Sequence, residues 1–402
     1  MSAEHRSIGA IDSAVADLAD DLVEFRRDLH RYPELSWHEE RTTAQIIDRL
    51  RAAGLDPHPA PTGTGVICDL PSEPARRAGD DRLVVLRADI DALPLTDRKD
   101  VAYRSHVNGV CHGCGHDVHT AAVVGAGLAL HATGEPRQGR VRLLFQPAEE
   151  TLPSGARALQ EAGCTAEAAA ILAVHCAPAL EVGTVGLSPG PITSAADLFR
   201  MTLHGPGGHT GRPHRTADLV HIASRVVVDL PADLHRLTDS RHGINVTFGS
   251  LNTGHAPNVI PTEAVLEGTM RTLGHETWER APTLFAELLR AIVEPLGAKF
   301  ELDYRVGSPP VENDPALTGM VGRVAADLLG DDAVLATEQS GGGEDFSWYQ
   351  QDGPCCYVRL GVRSPGGAFV DIHHDTFDVD ESSIAIGARL LAGAAVAVLD
   401  RR

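Results

Sequence analysis

The order of predicted strands and helices indicates an α/β fold with two domains, the second inserted into the first. In the first part of the chain, apolar strands alternate with helices, which is typical of a largely parallel, doubly wound sheet. Between residues 196 and 306 the order changes to strand–helix–strand–strand–helix–strand, the βαββαβ pattern of a ferredoxin-like domain. We therefore predict a discontinuous domain of residues 1–190 and 307–402 and an inserted domain of residues 191–306.

Hydrophobic periodicity supports each element of the first domain. Val15, Leu22 and Leu29 recur at helical spacing and predict an amphipathic helix over residues 11–31, and a second helix over 38–53 ends at Gly54. The segment LVVLRADI (83–90) is almost wholly apolar in its first half, as expected for a strand covered on both faces. The other predicted elements are strands at 66–70, 140–146 and 169–175, helices at about 121–131 and 154–162, and a polar loop at 71–81.

The inserted domain lies between two segments that are predicted to be crossings. Residues 183–193 are rich in Gly, Pro, Ser and Thr, and residues 307–314 form the predicted return. Inside the insertion we predict strands at 196–204, 243–251, 262–273 and 299–306, and helices at 216–230 and 276–295. After it we predict a helix at 315–329, a glycine run at 341–343, a strand near 356–360 and a last helix from Glu381.

Composition limits the classes of partner. The 402-residue chain has a formal net charge of −20, which argues against nucleic acid because phosphate binding needs a basic face. Its seven cysteines are an odd number without a disulfide-framework spacing, which fits a reducing cytosol. The N-terminal residues show no signal-peptide core, and we expect no segment apolar enough to span a membrane. We therefore expect a cytoplasmic protein, and its net charge says little about its substrate.

The turn GVCHGCGHDVHTA (109–121) concentrates two cysteines, three histidines and one aspartate. Thiolate, imidazole and carboxylate groups are ligands of Zn²⁺ and similar first-row divalent ions. Cys111 and Cys114 could instead form a structural zinc half-site or a redox pair, but no second CxxC or HxxxH motif accompanies them. The turn therefore favours a metal site, with its ligands on a loop that leads into a helix.

Three other places are candidates for the same site: Glu149–Glu150 after one strand, His175 at the predicted end of another, and His373–His374 near the end of the chain. Together with the turn they could hold two metal ions about 3.5–4 Å apart that share a water of lowered pKa. One glutamate must stay off the metal to move a proton, and strand neighbours point to opposite sides. Taken alone, the glutamates fit a solvated loop, His175 a core residue and the last pair a surface position.

Eight sequence motifs follow one another along nearly the whole chain. They are RRDLHRYPELSWHE (26–39), RADIDALPL (87–95), CHGCGHDVHTA (111–121), FQPAEE (145–150), GPGGHTGRPH (205–214), APNVIPTEAVLEGTMRTL (256–273), GGEDFSWY (342–349) and IHHDTFDVDE (372–381). In these motifs and in their order the chain resembles the M20 metallopeptidase family, in particular its amidohydrolase branch of hippurate hydrolases, aminoacylases and auxin-conjugate hydrolases.

The resemblance implies a zinc-peptidase-like catalytic domain and a lid or dimerisation domain, which agrees with the predicted insertion. It implies that Cys114 bridges two divalent ions, with Zn²⁺ as the first choice and Mn²⁺, Co²⁺ or Ni²⁺ as alternatives. The other implied ligands are His116, Glu150, His175 and His373. His374 is a rival to His373, and Cys111 is a candidate oxidation partner of Cys114.

The resemblance also implies roles for residues that do not bind metal. Glu149 would be the general base and then the general acid. His209 lies in the inserted domain. By the resemblance it would come from the partner subunit of a homodimer and stabilise the oxyanion. Asn258 and Arg271 would hold the substrate carboxylate, a task that suits a guanidinium. The family sequence GGHAAxPH is GGHTGRPH here, so the acyl preference stays open.

The predicted activity is hydrolysis of the amide bond of an N-acyl amino acid, which releases a carboxylic acid and a free amino acid. A dipeptidase or carboxypeptidase of the wider family is the alternative within this class. A non-catalytic, dimeric metal-binding protein is the alternative outside it, although such a protein would not need Glu149. A zinc nucleobase deaminase would need an HxE motif with a CxxC downstream, and that order is not present in the sequence.

Overall fold

The computed structural model describes residues 3–70, 82–134 and 139–400. The first compact unit comprises Met1–Ile192, Glu312–Glu338 and Trp348–Arg402, and the second comprises Thr193–Val311 and Gln339–Ser347. The sequence prediction assigned residues 339–347 to the first domain, whereas this segment groups with the second unit. The loop predicted at residues 71–81 lies outside the described part of the chain.

The first unit is built on an eight-stranded mixed sheet, and the elements are numbered along the whole chain. The strands that the structure describes in this unit are β1 (His58–Pro59), β2 (Val66–Leu70), β3 (Leu83–Asp89), β4 (Arg140–Gln146), β5 (Ala168–Glu181), β6 (Val185–Gly186), β7 (Gly190–Pro191), β14 (Glu312–Asn313), β15 (Val334–Leu335) and β16 (Cys355–Arg363). The sheet order is β1-β2-β4-β3-β5-β16-β6-β15, and β7 pairs separately with β14.

The centre of this sheet is parallel and its edges are mixed. Strands β4, β3, β5 and β16 run parallel, whereas β2 pairs antiparallel with both β1 and β4, and β6 pairs antiparallel with β16. All seven residues of β3 are buried, as expected for a central strand covered on both faces. The prediction of an α/β fold with a largely parallel sheet is therefore confirmed.

The helices of the first unit are α1 (Ala3–Arg31), α2 (Glu40–Ala52), α3 (His116–Ala132), α4 (Gly155–Glu161), α7 (Pro315–Leu329) and α8 (Ser382–Leu399). Helix α3 is buried from His116 to Leu130. A Cβ atom at Gly125 would lie 2.7 Å from Leu22 of α1 and 3.1 Å from Ala388 of α8, so glycine permits the three helices to approach closely. Helix α3 is therefore a rigid base for the residues at its N-terminus.

Helix α3 begins earlier than the sequence indicates. We predicted a start near residue 121, but its first residue is His116, preceded by Gly115 in the left-handed conformation with φ 86°. A Cβ atom at Gly115 would lie 2.6 Å from the Cys176 Sγ. Both the left-handed φ and this close approach therefore require glycine at the position. The prediction that all candidate ligands of this motif lie on a loop is wrong, because His116 is helical.

Helix α8 corrects a second expectation. By length and composition it could cross a membrane, whereas we expected no such segment, and 72% of it is buried inside the structure. A core helix passes the same test as a membrane span, and Leu391 and Val398 of α8 belong to the main hydrophobic core.

The elements of the second unit are β8 (Ala196–His204), β9 (Gly208–His209), α5 (Leu219–Leu237), β10 (Ile244–Thr253), β11 (Val259–Ile260), β12 (Glu263–Thr272), α6 (His275–Val293) and β13 (Lys299–Ser308). Four of the strands form an antiparallel sheet with the order β10-β12-β8-β13. Helices α5 and α6 contribute Leu230 and Phe285 to a core shared with the sheet. Helix α5 continues through Pro231, where the sequence predicted its end.

Candidate metal centre

The predicted ligands of the first unit lie in overlapping groups. Within each group the candidate ligand atoms are all within 4.8 Å of one another. Cys114 belongs to two groups, so its thiol occupies the position shared between them. The groups are Cys114–His116–His175, Cys114–Glu150–His373 and His116–Glu149–Glu150.

His175 presents an unprotonated nitrogen to the thiol of Cys114. Its Nδ1 lies 2.9 Å from the carbonyl oxygen of Cys176, an acceptor, so Nδ1 carries the proton. Its Nε2 lies 3.4 Å from the Cys114 Sγ. Burial, followed by the neighbouring His119 and Arg359, lowers the pKa of His175 well below its usual value. The ring is therefore neutral and suited to metal coordination.

His175 does not end its strand, as the sequence suggested. Strand β5 continues to Glu181, and His175 pairs with Arg359 of β16 in the middle of the sheet. The prediction of a strand terminus is wrong because the pairing with β16 continues past this histidine. The imidazole is nonetheless held by a central parallel strand of the sheet.

His116 is fixed in a similar way by a backbone carbonyl. Its Nδ1 donates to the carbonyl oxygen of Asp91 at 2.9 Å, and its Nε2 is 3.7 Å from Asp89 and 3.9 Å from Glu150. Within the described residues this buried Nε2 has no hydrogen-bond partner. Burial alone would lower the pKa of His116, but Asp89, Asp91 and Glu150 raise it to about 10. A cation could replace this proton, so the donor set fits a metal ion.

His373 approaches from a segment without regular secondary structure. Its φ of 62° is left-handed, and its backbone N–H donates to the Gly113 carbonyl at 2.7 Å. Its Nε2 lies 3.1 Å from the Glu150 Oε1, and this interaction raises the pKa of His373 against the effect of burial. His374 instead has its Nδ1 2.9 Å from the Thr376 hydroxyl. This geometry favours His373 over His374 as a ligand.

The two glutamates lie in a turn after β4 rather than in the strand. Ala148 has a φ of 52°, which reverses the chain direction, and the Glu150 N–H donates to Asp91 at 3.0 Å. Carboxylate oxygens of Glu149 and Glu150 both reach within 4.8 Å of the His116 ring nitrogen. The expectation that the neighbours point to opposite sides is therefore wrong, because strand alternation does not apply in a turn.

Sequence reasoning missed Asp89 and His119, which form a buried pair beside His116. The Asp89 Oδ1 is 2.6 Å from the His119 Nδ1, and its Oδ2 accepts from Arg87 at 2.7 Å. The Cys176 N–H donates to the His119 Nε2 at 2.9 Å, so both ring nitrogens of His119 are engaged. Two signals could have revealed this pair: the HDVH spacing, which places both histidines on one helix face, and the aspartate that ends a buried strand.

Cys111 does not share the environment expected of a redox partner. All seven cysteines are free thiols. Burial, partly offset by Lys99, raises the pKa of the Cys111 thiol to about 11. Because the thiolate is the reactive form, this environment makes Cys111 a poor nucleophile.

The remaining candidates belong to the second unit. His209 of β9 is exposed, and its Nδ1 accepts a hydrogen bond from the Gly211 N–H at 2.9 Å. The Asn258 carbonyl accepts from the Thr210 N–H at 3.2 Å, which places Asn258 beside the strand of His209. Arg271 of β12 donates from Nη1 to the Gly341 carbonyl at 2.9 Å. The fold thus brings His209 and Asn258 together, and it holds Arg271 against the glycine run.

A thiol, imidazoles and carboxylates in one cluster are a donor set for first-row divalent metals. The hard carboxylates alone would suit Mg²⁺ or Ca²⁺, whereas the thiol and neutral imidazole favour Zn²⁺ and its neighbours in the series. A carboxylate next to such a set, here Glu149, can move protons. The arrangement is therefore capable of metal-assisted hydrolysis.

Comparison with known proteins agrees with this chemistry. Residues 85–397 match the family described as Peptidase family M20/M25/M40. An N-acetyl-L-cysteine deacetylase of Bacillus subtilis is 36% identical over 388 residues, 96% of this chain and 90% of that protein. A Rhodococcus jostii protein with the provisional name glutamate–cysteine ligase 2-3 is 40% identical over 370 residues, 92% of this chain. This chain spans only 46% of that relative's length.

A solved structure is similar over almost its full length. It is a Bacillus subtilis protein described as a dinuclear metal binding peptidase from the M20 family, with a TM-score of 0.82 and 32% identity. The match covers 96% of this chain and 99% of that one. Together the comparisons identify a hydrolytic enzyme that uses divalent metal. The chain belongs to peptidase family M20/M25/M40, in its amidohydrolase branch.

Proposed function

We propose that this protein hydrolyses the amide bond of N-acyl amino acids at a centre of two divalent ions, Zn²⁺ first and Mn²⁺, Co²⁺ or Ni²⁺ as alternatives. The observation that carries the proposal is the convergence of Cys114, His116, Glu150, His175 and His373 from segments far apart in the chain. N-Acetyl amino acids, N-acetylcysteine among them, are the first substrates to test, because the deacetylase relative is named for that compound.

When bound, the divalent ions lower the pKa of water and polarise the substrate carbonyl. The carboxylate of Glu149 takes the proton of the attacking water and later gives it to the leaving amine nitrogen. The C–O bond forms first and gives an oxyanion, and the C–N bond breaks as the nitrogen takes the proton from Glu149, so the products are a carboxylic acid and a free amino acid. Half-burial of Glu149 beside the His116 and Glu150 side chains supports this role.

The second unit supplies the proposed oxyanion and carboxylate contacts. Because the His209 Nδ1 accepts a hydrogen bond from Gly211, the neutral ring carries its proton on Nε2 and can donate to an oxyanion. Arg271 and Asn258 would bind the substrate carboxylate, and a guanidinium gives that contact its charge. We propose that His209 acts in the partner subunit's site, within a homodimer formed through the lid-like, ferredoxin-like second unit.

The proposal is tested with metal-loaded protein and a panel of N-acetyl amino acids, hippurate and dipeptides. We expect Glu149→Gln to lower kcat by about 10²–10⁴-fold, the usual contribution of general acid–base catalysis, with unchanged metal content. Glu161→Gln, an exposed glutamate of α4, is the matched control and should leave kcat unchanged. Ordinary rates in Glu149→Gln would refute its assignment as the general base.

A dipeptidase or carboxypeptidase activity is the second candidate, because the similar solved structure is described as a peptidase. The same panel separates the two functions. A kcat/KM for dipeptides well above that for acetyl and benzoyl derivatives would favour the peptidase. The reverse order would favour the N-acyl amino acid hydrolase.

A further inference from the structure

A buried cluster of charged side chains joins helix α1 to the two chain segments that carry His116 and His373. Its centre is Arg26, which is only 1% exposed. The guanidinium contacts three carboxylates: Nε lies 2.7 Å from Asp117, Nη1 lies 3.2 Å from Glu381 and Nη2 lies 3.4 Å from Asp378. Because a buried charge is tolerated only when it is paired, these three contacts fix the position of the guanidinium.

The three carboxylates lie on the two chain segments that carry the candidate ligands His116 and His373. Asp117 follows His116 in the first turn of α3. Asp378 and Glu381 follow His373 in the segment that leads into α8. Arg26 is therefore a direct bridge between the two segments whose ligands meet at Cys114.

The segment that carries His116 has strong anchors of its own. Asp117 also accepts from the His30 Nδ1 at 2.7 Å, and the helix that follows is buried along most of its length. The His116 ring is held by the Asp91 carbonyl. Loss of the Arg26 contact should therefore disturb this side of the centre only slightly.

The segment that carries His373 has no regular secondary structure and is held by separate contacts along its length. A left-handed non-glycine residue is strained and persists only when its surroundings hold it. These contacts include Arg27, which pairs with Glu381 at 2.6 and 2.9 Å, and the hydroxyl of Tyr103, which donates to Asp378 at 2.7 Å. Arg26 packs over the Tyr103 ring, 4.8 Å from its centroid. Arg26 therefore supports Asp378 both directly and through the ring of Tyr103.

We propose that Arg26 is a positioning residue for the metal ligand His373. By joining Asp378 and Glu381 to Asp117, its guanidinium keeps the imidazole of His373 at the correct distance from Cys114 and Glu150. The inference rests on the metal centre of the proposed function and does not depend on which amide is hydrolysed.

The expected effect is selective. In Arg26→Met the group Cys114–His116–His175 keeps its metal affinity, whereas the group Cys114–Glu150–His373 binds about 10–100-fold more weakly, as is usual for lost outer contacts. Arg26→Lys keeps the charge, but an ammonium lacks the planar, forked donors with which the guanidinium contacts three carboxylates. We therefore expect an intermediate loss of Zn²⁺ affinity.

The test is a Zn²⁺ titration against a competing chelator, together with the visible absorption of the Co²⁺-substituted protein. The set comprises wild type, Arg26→Met, Arg26→Lys, His373→Ala and the double variant Arg26→Met/His373→Ala. We expect Arg26→Met to cause no further loss of affinity once His373 is absent. An equal further loss in the double variant would show a general structural defect and overturn the proposal. So would unchanged Zn²⁺ affinity in Arg26→Met.

Arg142→Met is the matched control, because its partly buried guanidinium also binds a carboxylate, that of Asp69, at 2.7 and 2.8 Å. It should leave both affinities unchanged. If Arg26→Met does not fold, Asp378→Asn takes its place, and unchanged affinity there overturns the proposal. A wild-type protein that binds no Zn²⁺ would reject the metal centre and this inference together. Zn²⁺ binding without hydrolysis would reject only the proposed reaction.

Discussion

The two units present their candidate residues in different ways. In the first unit Cys114, His116 and His175 are buried. Each of the two imidazoles donates a hydrogen bond from its Nδ1 to a backbone carbonyl. In the second unit His209 and Asn258 are exposed beside a short two-stranded ladder. The side chains of the first unit are therefore fixed in position before a metal ion binds, whereas those of the second unit are accessible to a substrate.

This difference separates two requirements of a hydrolase. Metal ligands gain affinity when their tautomer and orientation are fixed in advance by the protein. Groups that bind substrate must be accessible, and they are commonly carried on loops. We therefore expect metal affinity to depend on the first unit alone, and turnover to depend on residues of both.

The largest expected effect is the loss of a ligand of the first unit. His175→Gln removes the unprotonated nitrogen beside Cys114, so we expect loss of bound metal and a decrease in kcat of about 10³-fold or more. The measurements are Zn²⁺ per chain by elemental analysis and the rate of hydrolysis. His131→Gln, an exposed histidine at the end of α3, is the control. Full Zn²⁺ content in His175→Gln would contradict the expectation that metal affinity depends on the ligands of the first unit.

The next effect should separate turnover from metal binding. His209→Gln removes the proposed donor to the oxyanion, so kcat should decrease by about 10²–10³-fold, the usual cost of one such donor. Zn²⁺ content should not change, because His209 belongs to the other unit. His235→Gln on the exposed face of α5 serves as the control. Release of metal by His209→Gln would contradict the division between the units.

A smaller effect is expected at Arg271. Loss of a charge-assisted contact costs about 1.5–3 kcal/mol, so Arg271→Gln should raise KM for N-acyl amino acids by about 10-fold or more. The corresponding N-acyl amino acid amides, which lack the carboxylate, should be almost unaffected. Arg305→Gln, exposed on β13, is the control. An equal change for both kinds of substrate would exclude a carboxylate contact.

The smallest effect concerns the stability of the second unit. Asp197 accepts from Trp278, Tyr304 and the Gly307 N–H, yet burial raises its pKa above the usual value near 3.8. The folded state therefore binds more protons in this range than the unfolded chain, and wild-type stability falls as pH rises through it. Asp197→Asn lacks this loss, because its amide stays neutral.

We expect the Tm of wild type minus that of Asp197→Asn to become more negative between pH 3.5 and 7, by a few degrees at most. Calorimetry of the metal-free protein measures this difference without interference from metal binding. Turnover should be unchanged after metal is restored. A difference that is constant or changes in the opposite direction would contradict the pKa direction of Asp197.

The fold was predictable where apolar periodicity is strong and uninterrupted. Strand β3 and helix α2 lie within two residues of their predicted bounds. The start of α3 was not predictable, because Gly113 and Gly115 resemble a loop and only the tertiary contact with Cys176 explains the left-handed residue. Helix α5 runs past Pro231 because the surrounding residues pack into a core that outweighs one missing hydrogen bond.

The candidate site was predictable in its residue types but not in its internal contacts. The five metal-ligand candidates came from motifs, whereas the contact between Asp89 and His119 forms only when β3 and α3 pack together. The turn that brings Glu149 and Glu150 to one side depends on the φ of Ala148, which alternation along a strand does not reveal. Local sequence motifs thus identify the candidate ligands, whereas tertiary contacts determine how their side chains are oriented.

One measurement tests the central claim most directly: stepwise return of Zn²⁺ to chelated protein, with bound metal and hydrolysis of an N-acetyl amino acid followed in the same sample. The account predicts that activity disappears with the metal and returns as up to two equivalents bind. It also predicts that Cys114→Ser weakens binding of both ions, because the thiol is shared by two ligand groups. Hydrolysis that persists in metal-free protein, or Zn²⁺ affinity that is indifferent to Cys114→Ser, would contradict it.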